Sequence, residues 1–280
     1  MPSIAEKRSN FRRLHEQGCF VIPNPWDVGT ARYLQHLGFK ALATTSAGAA
    51  FAMGRPDNEM VTRDDMLAHI RMIVDASDLP VNADFESGYA HAPEQVAENV
   101  KLCVATGVAG LSIEDNAGSR AKPLYDLDVA VERIRAARAA IDASGTGVLL
   151  TGRAECYLVG RPNLQEAIDR LVAYAQAGAD CLYAPGIRTR EEIAAVVLAV
   201  APKPVNVLIG QPTELTLTDL AELGVRRVSV GSAMARAAWG GFIRAARSIS
   251  EHGRFDGFAD AAPHAELNKF FREDYKRRST

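Results

Sequence analysis

One short pattern recurs along the chain and constrains its fold more than any other feature. In each copy a helix-forming segment ends at a glycine, and a run rich in β-forming residues follows within about three residues. Glycine ends helices readily because it adopts positive φ at little cost, so each copy predicts a helix joined to a strand. The four copies are residues 37–41, 106–110, 177–181 and 223–227.

These joints divide the chain into alternating strands and helices. Short apolar runs predict eight strands, near residues 19–23, 41–46, 79–86, 108–114, 147–154, 180–184, 204–209 and 226–230. The segments between them predict eight helices, near residues 30–37, 62–75, 93–106, 126–142, 164–177, 190–200, 216–223 and 232–249. Apolar parallel strands covered by helices predict an α/β fold, a (β/α)₈ TIM barrel. A doubly wound open sheet is disfavoured because no GxGxxG motif follows a strand and no linker marks a second domain.

Composition excludes several classes of partner. A net charge of −2 over 280 residues, of which 48% are hydrophobic, indicates a large core and neither a nucleic-acid-binding nor a membrane-binding surface. Residues 1–13 are charged throughout and lack the apolar region of a signal peptide, and no later run has the length of a membrane span. The four cysteines lie in or beside apolar segments without metal-binding spacing. We therefore expect a cytoplasmic protein whose partner is a small molecule.

The barrel and the end of the chain are predicted to be separate parts. We expect one barrel domain over residues 1–250 and a helical tail over residues 251–280, with three aromatic residues in its helix near 265–276. The alanine-rich segment 232–249, interrupted by two glycines, has small faces that allow another helix to approach closely. These features predict a subunit interface, although docking of the tail on its own barrel explains the aromatic residues equally well.

Charged residues cluster where three successive strands end. Side chains alternate between the two faces of a strand, so Asp84 and Glu86 are predicted to share one face of the third strand. Glu114 ends the fourth strand, and Arg153 and Glu155 share a face at the end of the fifth. Like charges buried together need a proton, an arginine or a cation to compensate them. The sequence predicts either a divalent metal site here or, as the simpler alternative, a set of ion pairs.

The carboxyl ends of the strands in such a barrel converge on one face, which carries the active site. Mg²⁺ prefers oxygen ligands, keeps several waters and uses only one or two carboxylates directly. Asp84 as a ligand, with Glu86 and Glu114 holding waters, would therefore be sufficient to bind it. Mn²⁺ is the alternative metal.

Other polar groups at this face suit a small carboxylate substrate. Arg153 offers a planar fork for a carboxylate. The hydroxyl-rich segment 44–48 allows backbone N–H groups to approach an anion closely. Asn206 adds an amide from the seventh strand. Together these residues predict a site for a small metal-chelating oxo- or hydroxy-acid.

Several motifs, in order along the chain, resemble the isocitrate lyase/phosphoenolpyruvate mutase superfamily. The matching motifs are Thr44-Thr45-Ser46, Met53-Gly54-Arg55-Pro56-Asp57, Asn82-Ala83-Asp84-Phe85-Glu86-Ser87-Gly88-Tyr89, Ser112-Ile113-Glu114-Asp115 and Gly152-Arg153-Ala154-Glu155. The resemblance implies a Mg²⁺-dependent barrel that is usually a homotetramer and exchanges its last helix between subunits. It also implies reactions that make or break C–C or C–P bonds of 2-oxo or 2-hydroxy acids through an enolate held on the metal.

The resemblance further implies a role for each matching residue. Asp84 would ligate the metal directly, and Glu86 and Glu114 would act through water. Asp57 would lie over the reacting centre. The residues that would bind the carboxylate or phosphonate end of the substrate are Thr45, Ser46, Ala47 and Arg153.

The chain departs from the superfamily pattern at three places. A second Asp is common where this chain has Glu86. The Lys-Lys-Cys-Gly-His loop of isocitrate and methylisocitrate lyases is replaced by residues 116–123, which contain neither Cys nor His. Ala184-Pro185-Gly186 stands where relatives place Glu or His. The general acid of those lyases is therefore missing, which disfavours isocitrate cleavage.

The loop over residues 116–124 is nevertheless predicted to be functional. Its small residues permit motion, and Arg120 and Lys122 can place positive charge over a bound dianion. We expect it to act as a lid, with Arg120 taking part in catalysis. A solvated loop whose two cations face solvent is the alternative.

Taken together, the residues and the resemblance predict a Mg²⁺-dependent lyase. We expect it to cleave a C–C bond of a small 2-oxo- or 2-hydroxydicarboxylate, by decarboxylation or a retro-aldol step, with oxaloacetate as the simplest candidate. Decarboxylation needs only a proton from water afterwards, so it tolerates the missing acid. The alternatives are C–P chemistry, as in phosphoenolpyruvate mutase or phosphonopyruvate hydrolase, and a non-catalytic barrel that binds a 2-oxo acid.

Overall fold

The chain folds into eight parallel strands and eleven helices, and the computed structural model describes residues 2–279. The strands are β1 (Phe20–Ile22), β2 (Leu42–Ala43), β3 (Val81–Asp84), β4 (Gly110–Glu114), β5 (Leu149–Arg153), β6 (Cys181–Tyr183), β7 (Val205–Leu208) and β8 (Arg227–Ser229). The helices are α1 (Ile4–Leu14), α2 (Val28–His36), α3 (Ser46–Ala52), α4 (Arg63–Ala76), α5 (Pro93–Val104), α6 (Leu127–Ala143), α7 (Leu164–Gln176), α8 (Arg190–Val200), α9 (Leu217–Glu222), α10 (Ala233–His252) and α11 (His264–Ser279).

The strands form one sheet that nearly closes on itself. Their order is β1-β8-β7-β6-β5-β4-β3-β2, and every neighbouring pair is parallel. The edge strands β1 and β2 meet where the amide N–H of Ala43 donates to the carbonyl of Pro23 at 3.0 Å. Asn24 strengthens this closure, because its amide nitrogen donates to the carbonyl of Thr44 and its oxygen accepts backbone N–H groups that follow β8. The predicted (β/α)₈ TIM barrel is confirmed.

The recurrent glycines end helices as predicted. Gly38, Gly107, Gly178 and Gly224 have φ between 84° and 105°, which places each of them in the region that favours glycine. Gly178 also lacks room for a side chain, since a Cβ there would lie 2.6 Å from a side-chain carbon of Arg138. The joints therefore fix where each helix stops and where the next strand begins.

Helix α1 covers the amino end of the barrel. Phe11 is fully buried in a cluster with Ile22, Ala43 and Leu149, which come from β1, β2 and β5. A Cβ at Gly110 would lie 2.6 Å from the Phe11 ring, so this strand position requires glycine. Helix α1 therefore packs directly against the first residues of the strands.

Two elements at the other end of the barrel differ from the sequence-based prediction. The second strand was predicted to reach residue 46, but α3 begins there, with Thr45 as its N-cap accepting the N–H of Gly48 at 3.2 Å. A seven-residue helix of small residues carries too little periodicity to be recognised. The third strand was predicted to reach residue 86, but β3 ends at Asp84 and Glu86 has a φ of 46°. The prediction that Asp84 and Glu86 share one face of that strand is therefore wrong, because the strand ends before Glu86.

The last two helices belong to a compact unit of their own. The chain separates into Met1–Ser232 and Ala233–Thr280, and the second unit contains α10, a short 3₁₀ turn and α11. Large aromatic side chains in this unit are exposed, including Phe242 at 62% and Tyr275 at 70%. The division at residue 250, the exchanged helix and the homotetramer stay predictions, and light scattering would test the last of them.

None of the helices within residues 2–279 is both long enough and apolar enough to cross a bilayer. The cytoplasmic location stays a prediction.

Candidate active site

A cavity of about 140 Å³ lies at the carboxyl ends of the strands. Its volume is roughly ten times the ~10–15 Å³ that one water needs, so it has room for a small organic acid. Most of the predicted site residues line it, namely Thr45, Ser46, Ala47, Asp57, Asp84, Arg153 and Asn206. Glu86, Glu114 and Arg120 do not line it. The structure thus gathers residues from loops and strands far apart in sequence around one small space.

Arg153 lies at the centre of the charged groups. Its guanidinium contacts three carboxylates: Nη1 lies 2.7 Å from Asp84, Nη2 lies 3.0 Å from Glu114, and Nε lies 2.9 Å from Glu155. The Tyr183 ring lies beside the guanidinium, with its centroid 5.1 Å from the central carbon. Each nitrogen of Arg153 therefore contacts a protein carboxylate, and its role as a fork for a substrate carboxylate stays a prediction.

Asp84 is held from two directions. Its Oδ1 accepts from Arg153, and its Oδ2 accepts from both the backbone N–H and the hydroxyl of Ser46, at 2.9 and 2.8 Å. The backbone N–H of Asp84 donates to the Thr44 hydroxyl at 2.9 Å. The start of α3 therefore supports Asp84, which explains why small hydroxyl residues follow β2.

Glu86 is fastened to a loop that precedes α4. Its Oε1 accepts from the Tyr89 hydroxyl at 2.7 Å, and its Oε2 accepts the backbone N–H of Glu59. The Glu59 carboxylate in turn accepts from the backbone N–H and the hydroxyl of Ser87. Asn58, Glu59, Glu86 and Tyr89 all have positive φ, between 46° and 69°. Such conformations cost ~1–3 kcal/mol each and concentrate at functional sites, so this latch between two loops is a built feature.

The latch holds Asp57 at the cavity. Burial raises the pKa of the Asp57 carboxyl above its usual range, and the nearby charge of Asp84 raises it further. Hydrogen bonds from Asn58 and Ser46 act in the opposite direction but do not cancel the effect. The structure therefore places a carboxyl that holds its proton more firmly than usual in the wall of the site.

The cluster contains more negative than positive charge. Burial raises the pKa of Glu86 to about 7 and that of Glu155 to about 7. Burial also raises the pKa of Glu114, although the Arg153 charge lowers it. For Arg153, burial lowers the pKa, but the charges of Glu114, Glu155 and Asp84 outweigh it and raise that pKa above its usual value. Burial thus favours the protonated form of these carboxyls, and the single guanidinium of Arg153 opposes this only in part.

Asp115 positions this cluster from behind. Its Oδ1 accepts the backbone N–H of Glu155 at 2.8 Å, and its Oδ2 accepts from the Tyr174 hydroxyl at 2.6 Å and from Arg170 at 3.1 Å. Sequence reasoning placed Asp115 in a matching motif but gave it no role. Its contacts depend on α7, which no spacing along β4 could have identified.

A divalent cation fits the charge and the donor type of this cluster. The donors are carboxylate oxygens, which Mg²⁺ prefers, and their excess negative charge is what such an ion offsets. Over residues 2–279, no three His, Cys, Asp or Glu side chains are placed to ligate one ion together. Because Mg²⁺ keeps waters and takes only one or two protein carboxylates directly, Asp84 as a ligand with Glu86 and Glu114 acting through water is an arrangement that this donor set allows.

Two predicted residues have other contacts than expected. The Asn206 amide donates to the Ser229 hydroxyl at 2.9 Å and accepts from Arg227 at 2.8 Å, so both of its polar atoms are engaged within the barrel. Arg120 is exposed in a loop pinned at its base by the bridge between Asn116 and Leu124. Asn206 lies in the cavity wall, whereas Arg120 lies outside it.

The raised pKa of Glu86 predicts a pH-dependent stability of the metal-free protein. The carboxyl ionises at 4.5 in the unfolded chain and at about 7 in the fold, so between these values the folded state still holds a proton that the unfolded state has lost. The contribution of Glu86 to the free energy of unfolding therefore falls as the pH rises from 4.5 to 7, by at most ~3 kcal/mol. Glu86→Gln should flatten this fall, as measured by urea unfolding at several pH values with chelator.

The matched control is Glu214→Gln, since Glu214 is exposed. It should leave the pH dependence unchanged. If Glu86→Gln and the parent protein lose stability equally over this range, Glu86 does not carry the raised pKa.

Comparisons with known proteins agree with this geometry. The family model described as phosphoenolpyruvate phosphomutase matches residues 11–250. A candidate lyase/mutase from Burkholderia cenocepacia J2315 has 51% identity and a TM-score of 0.91, with 96% of each chain covered. An oxaloacetate decarboxylase from Paraburkholderia xenovorans LB400 is 31% identical over 79% of this chain and 73% of its own. A 2,3-dimethylmalate lyase of the PEP mutase/isocitrate lyase superfamily has 27% identity and a TM-score of 0.84, covering 100% of this chain and 98% of its own. The chain belongs to the phosphoenolpyruvate phosphomutase family, within the PEP mutase/isocitrate lyase superfamily.

Proposed function

We propose that this protein is a Mg²⁺-dependent lyase that breaks a C–C bond of a small 2-oxo- or 2-hydroxydicarboxylate. The observation that carries the proposal is the cavity of about 140 Å³ whose wall holds Asp84 beside an excess of carboxylates. A cation held by Asp84 would offset that excess and would be chelated by an oxo- or hydroxy-acid. The similarity to an oxaloacetate decarboxylase and to a dimethylmalate lyase supports the same class of substrate.

The residues of the chain bind and orient the acid. Thr45, Ser46 and Ala47 line the cavity together with Asp84 and Arg153. Because Arg153 is already paired with three carboxylates, its main role in the proposal is to fix the positions of Asp84 and Glu114. Fixed positions matter, because a site that is organised before the substrate arrives loses less free energy in reorganising.

A bound Mg²⁺ would act as a Lewis acid that withdraws electron density from the substrate's oxygen atoms as the C–C bond breaks. Asp57 lies in the cavity wall, and burial keeps its carboxyl pKa above the usual range. A carboxyl of this kind can deliver a proton to the carbon that loses its bond. In this proposal Asp57 replaces the general acid that the loop at 116–123 lacks.

C–P chemistry is the second candidate. The matching family model is described as phosphoenolpyruvate phosphomutase. Asp57 lines the cavity, and the resemblance implies that it lies over the reacting centre. A panel of oxo-, hydroxy- and phosphono-acids, assayed with and without Mg²⁺, separates the candidates. Pyruvate from carboxylic acids alone supports the lyase, phosphate or isomerised phosphonate supports C–P chemistry, and binding without turnover of any acid supports a non-catalytic barrel.

Asp84→Ala should remove both metal binding and turnover while leaving the fold intact. The fall in kcat/KM for the best substrate of the panel should be at least about 100-fold, or ~2.7 kcal/mol, because the direct ligand is lost. Calorimetric titration measures the binding of Mg²⁺, and circular dichroism shows whether the variant is folded. Asp75→Ala is the control, since Asp75 is exposed on α4. Turnover that persists in Asp84→Ala, or in the parent protein with chelator, would exclude the proposed metal role.

Arg120 and Lys122 should differ as components of the proposed lid. Lys122 is ion-paired with Asp126, whereas Arg120 forms no ion pair with any of residues 2–279. Arg120→Ala should therefore lower kcat/KM for a dianionic substrate about fivefold, roughly 1 kcal/mol, and Lys122→Ala should change it little. A monoanion of similar shape should be less affected in both variants. Steady-state kinetics test this. If kcat/KM of Arg120→Ala is within about twofold of the parent value, roughly 0.4 kcal/mol, the loop does not act as a lid.

A further inference from the structure

A second arginine lies inside the barrel, below the carboxylate cluster. Arg227 begins β8 and is only 3% exposed, yet it lines the same cavity as Asp84 and Arg153. Its Nε donates to the Asn206 oxygen at 2.8 Å, its Nη2 donates to the Thr151 hydroxyl at 3.1 Å, and its Nη1 lies 3.4 Å from His15. Sequence reasoning missed this residue because a charged side chain at the start of a strand resembles a surface position.

The groups around Arg227 are all neutral. No carboxylate of residues 2–279 forms an ion pair with it, and its three partners are an amide, a hydroxyl and an imidazole. Burial and the charge of Arg227 lower the pKa of His15 to about 3, so this ring is uncharged at neutral pH. Its Nδ1 is 2.8 Å from the Phe11 carbonyl, which leaves Nε2 to accept from Arg227. A buried cation without a counter-ion is unfavourable by several kcal/mol. A bound anion would therefore stabilise the charge of this guanidinium.

The guanidinium retains the capacity to bind one. Arg has five N–H donors, and the contacts above use one on each nitrogen. One N–H on each terminal nitrogen therefore remains available. Two N–H donors on one guanidinium can bind the two oxygens of a carboxylate.

The distance between the two arginines suits a short dicarboxylate. Arg227 contacts Thr151, and Arg153 follows Thr151 by two residues on the same strand, β5. With a rise of ~3.3 Å per residue, Arg227 lies roughly one side-chain layer, about 6–7 Å, below the cluster around Arg153. Ser112 and Asn82 occupy the same cavity wall below Glu114 and Asp84. The upper end of the cavity, near Asp84, is therefore acidic and suited to a cation. Its lower end, near Arg227, is positively charged.

We propose that Arg227 binds the carboxylate of the substrate that lies away from the metal-chelating end, and that the barrel floor is a subsite selecting dicarboxylates over monocarboxylates. This inference rests on the proposed function for the class of substrate. It adds a residue and a location that the superfamily motifs in this sequence do not contain. Arg153 is less suited to this role, because three protein carboxylates already compensate its charge, whereas the partners of Arg227 are neutral.

The test compares succinate with butyrate, which has the same chain length but one carboxylate, as ligands in calorimetric titrations with and without Mg²⁺. The parent protein should bind succinate more tightly. Arg227→Gln should weaken succinate binding at least about tenfold, or ~1.4 kcal/mol, and should leave butyrate binding unchanged. The matched control is Arg226→Gln, since this neighbour donates to the Gly18 carbonyl and does not line the cavity. It should retain the preference for succinate.

Three results would overturn the subsite. The first is that folded Arg227→Gln binds succinate within about twofold of the parent. The second is that the variant loses equal affinity for succinate and for butyrate. The third is that chloride at the same concentration displaces succinate. If Arg227→Gln does not fold, Arg227→Lys decides the matter. It keeps the charge but loses the fork, so succinate binding should weaken by roughly threefold or more with butyrate binding unchanged, and unchanged succinate binding would count against the subsite.

The same titrations separate this inference from the proposed function. If the preference for succinate depends on Arg227 but no acid in the panel is turned over, the lyase proposal is wrong and the subsite proposal stands. If Arg227→Gln turns over a dicarboxylate with an unchanged KM, the lyase proposal stands and the subsite proposal is wrong.

Discussion

The site depends on a shortage of positive charge among buried carboxylates. Asp84, Glu114 and Glu155 converge on one guanidinium, that of Arg153, and Glu86 and Asp57 lie close enough for the charge of Asp84 to raise their pKa values further. In water such a group of charges would separate. Here the parallel strands prevent separation, because their ends are fixed to one another by the hydrogen bonds of the barrel. Burial favours protons on these carboxyls, and in the proposed function a divalent ion takes the place of those protons.

The rest of the structure holds that cluster in place. Helix α3 directs its first N–H group and hydroxyl at Asp84, the latch of Glu59 and Tyr89 fixes Glu86, and Asp115 fixes the backbone of Glu155. Each device uses positions that are strained or fully buried, which a packing requirement alone would not select. Below the cluster, the barrel interior changes sign, because Arg227 lies among neutral partners. The cavity therefore has a direction, and a substrate with unlike ends can enter it in only one favourable orientation.

The barrel was predictable from the sequence, and so was the part of the site that lies within strands. Helix-ending glycines gave the alternation of elements, and strand alternation placed Asp84, Glu114 and Arg153 together, because the period of two holds as long as a strand continues. The alternation of side chains failed to predict the position of Glu86, because the strand has ended there and φ is positive. The latch could not be predicted, since it joins two loops through residues other than glycine in a glycine-like conformation. Arg227 could not be predicted either, because its neutral surroundings come from α1, β5 and β7, which only the closed barrel brings together.

The most direct measurement is the number of protons released when Mg²⁺ binds, obtained by calorimetric titration at pH 6 in two buffers with different ionisation enthalpies. A bound divalent charge favours the ionised form of nearby carboxyls, so Glu86 and Glu155, whose pKa burial raises to about 7, should lose protons when the ion binds. We expect release of about one proton or more per Mg²⁺ bound at pH 6, falling towards zero above pH 8, with affinity increasing as the pH rises between those values. Mg²⁺ binding with no proton release at pH 6 would show that the carboxylates are already ionised and compensated, and would contradict a cluster short of positive charge.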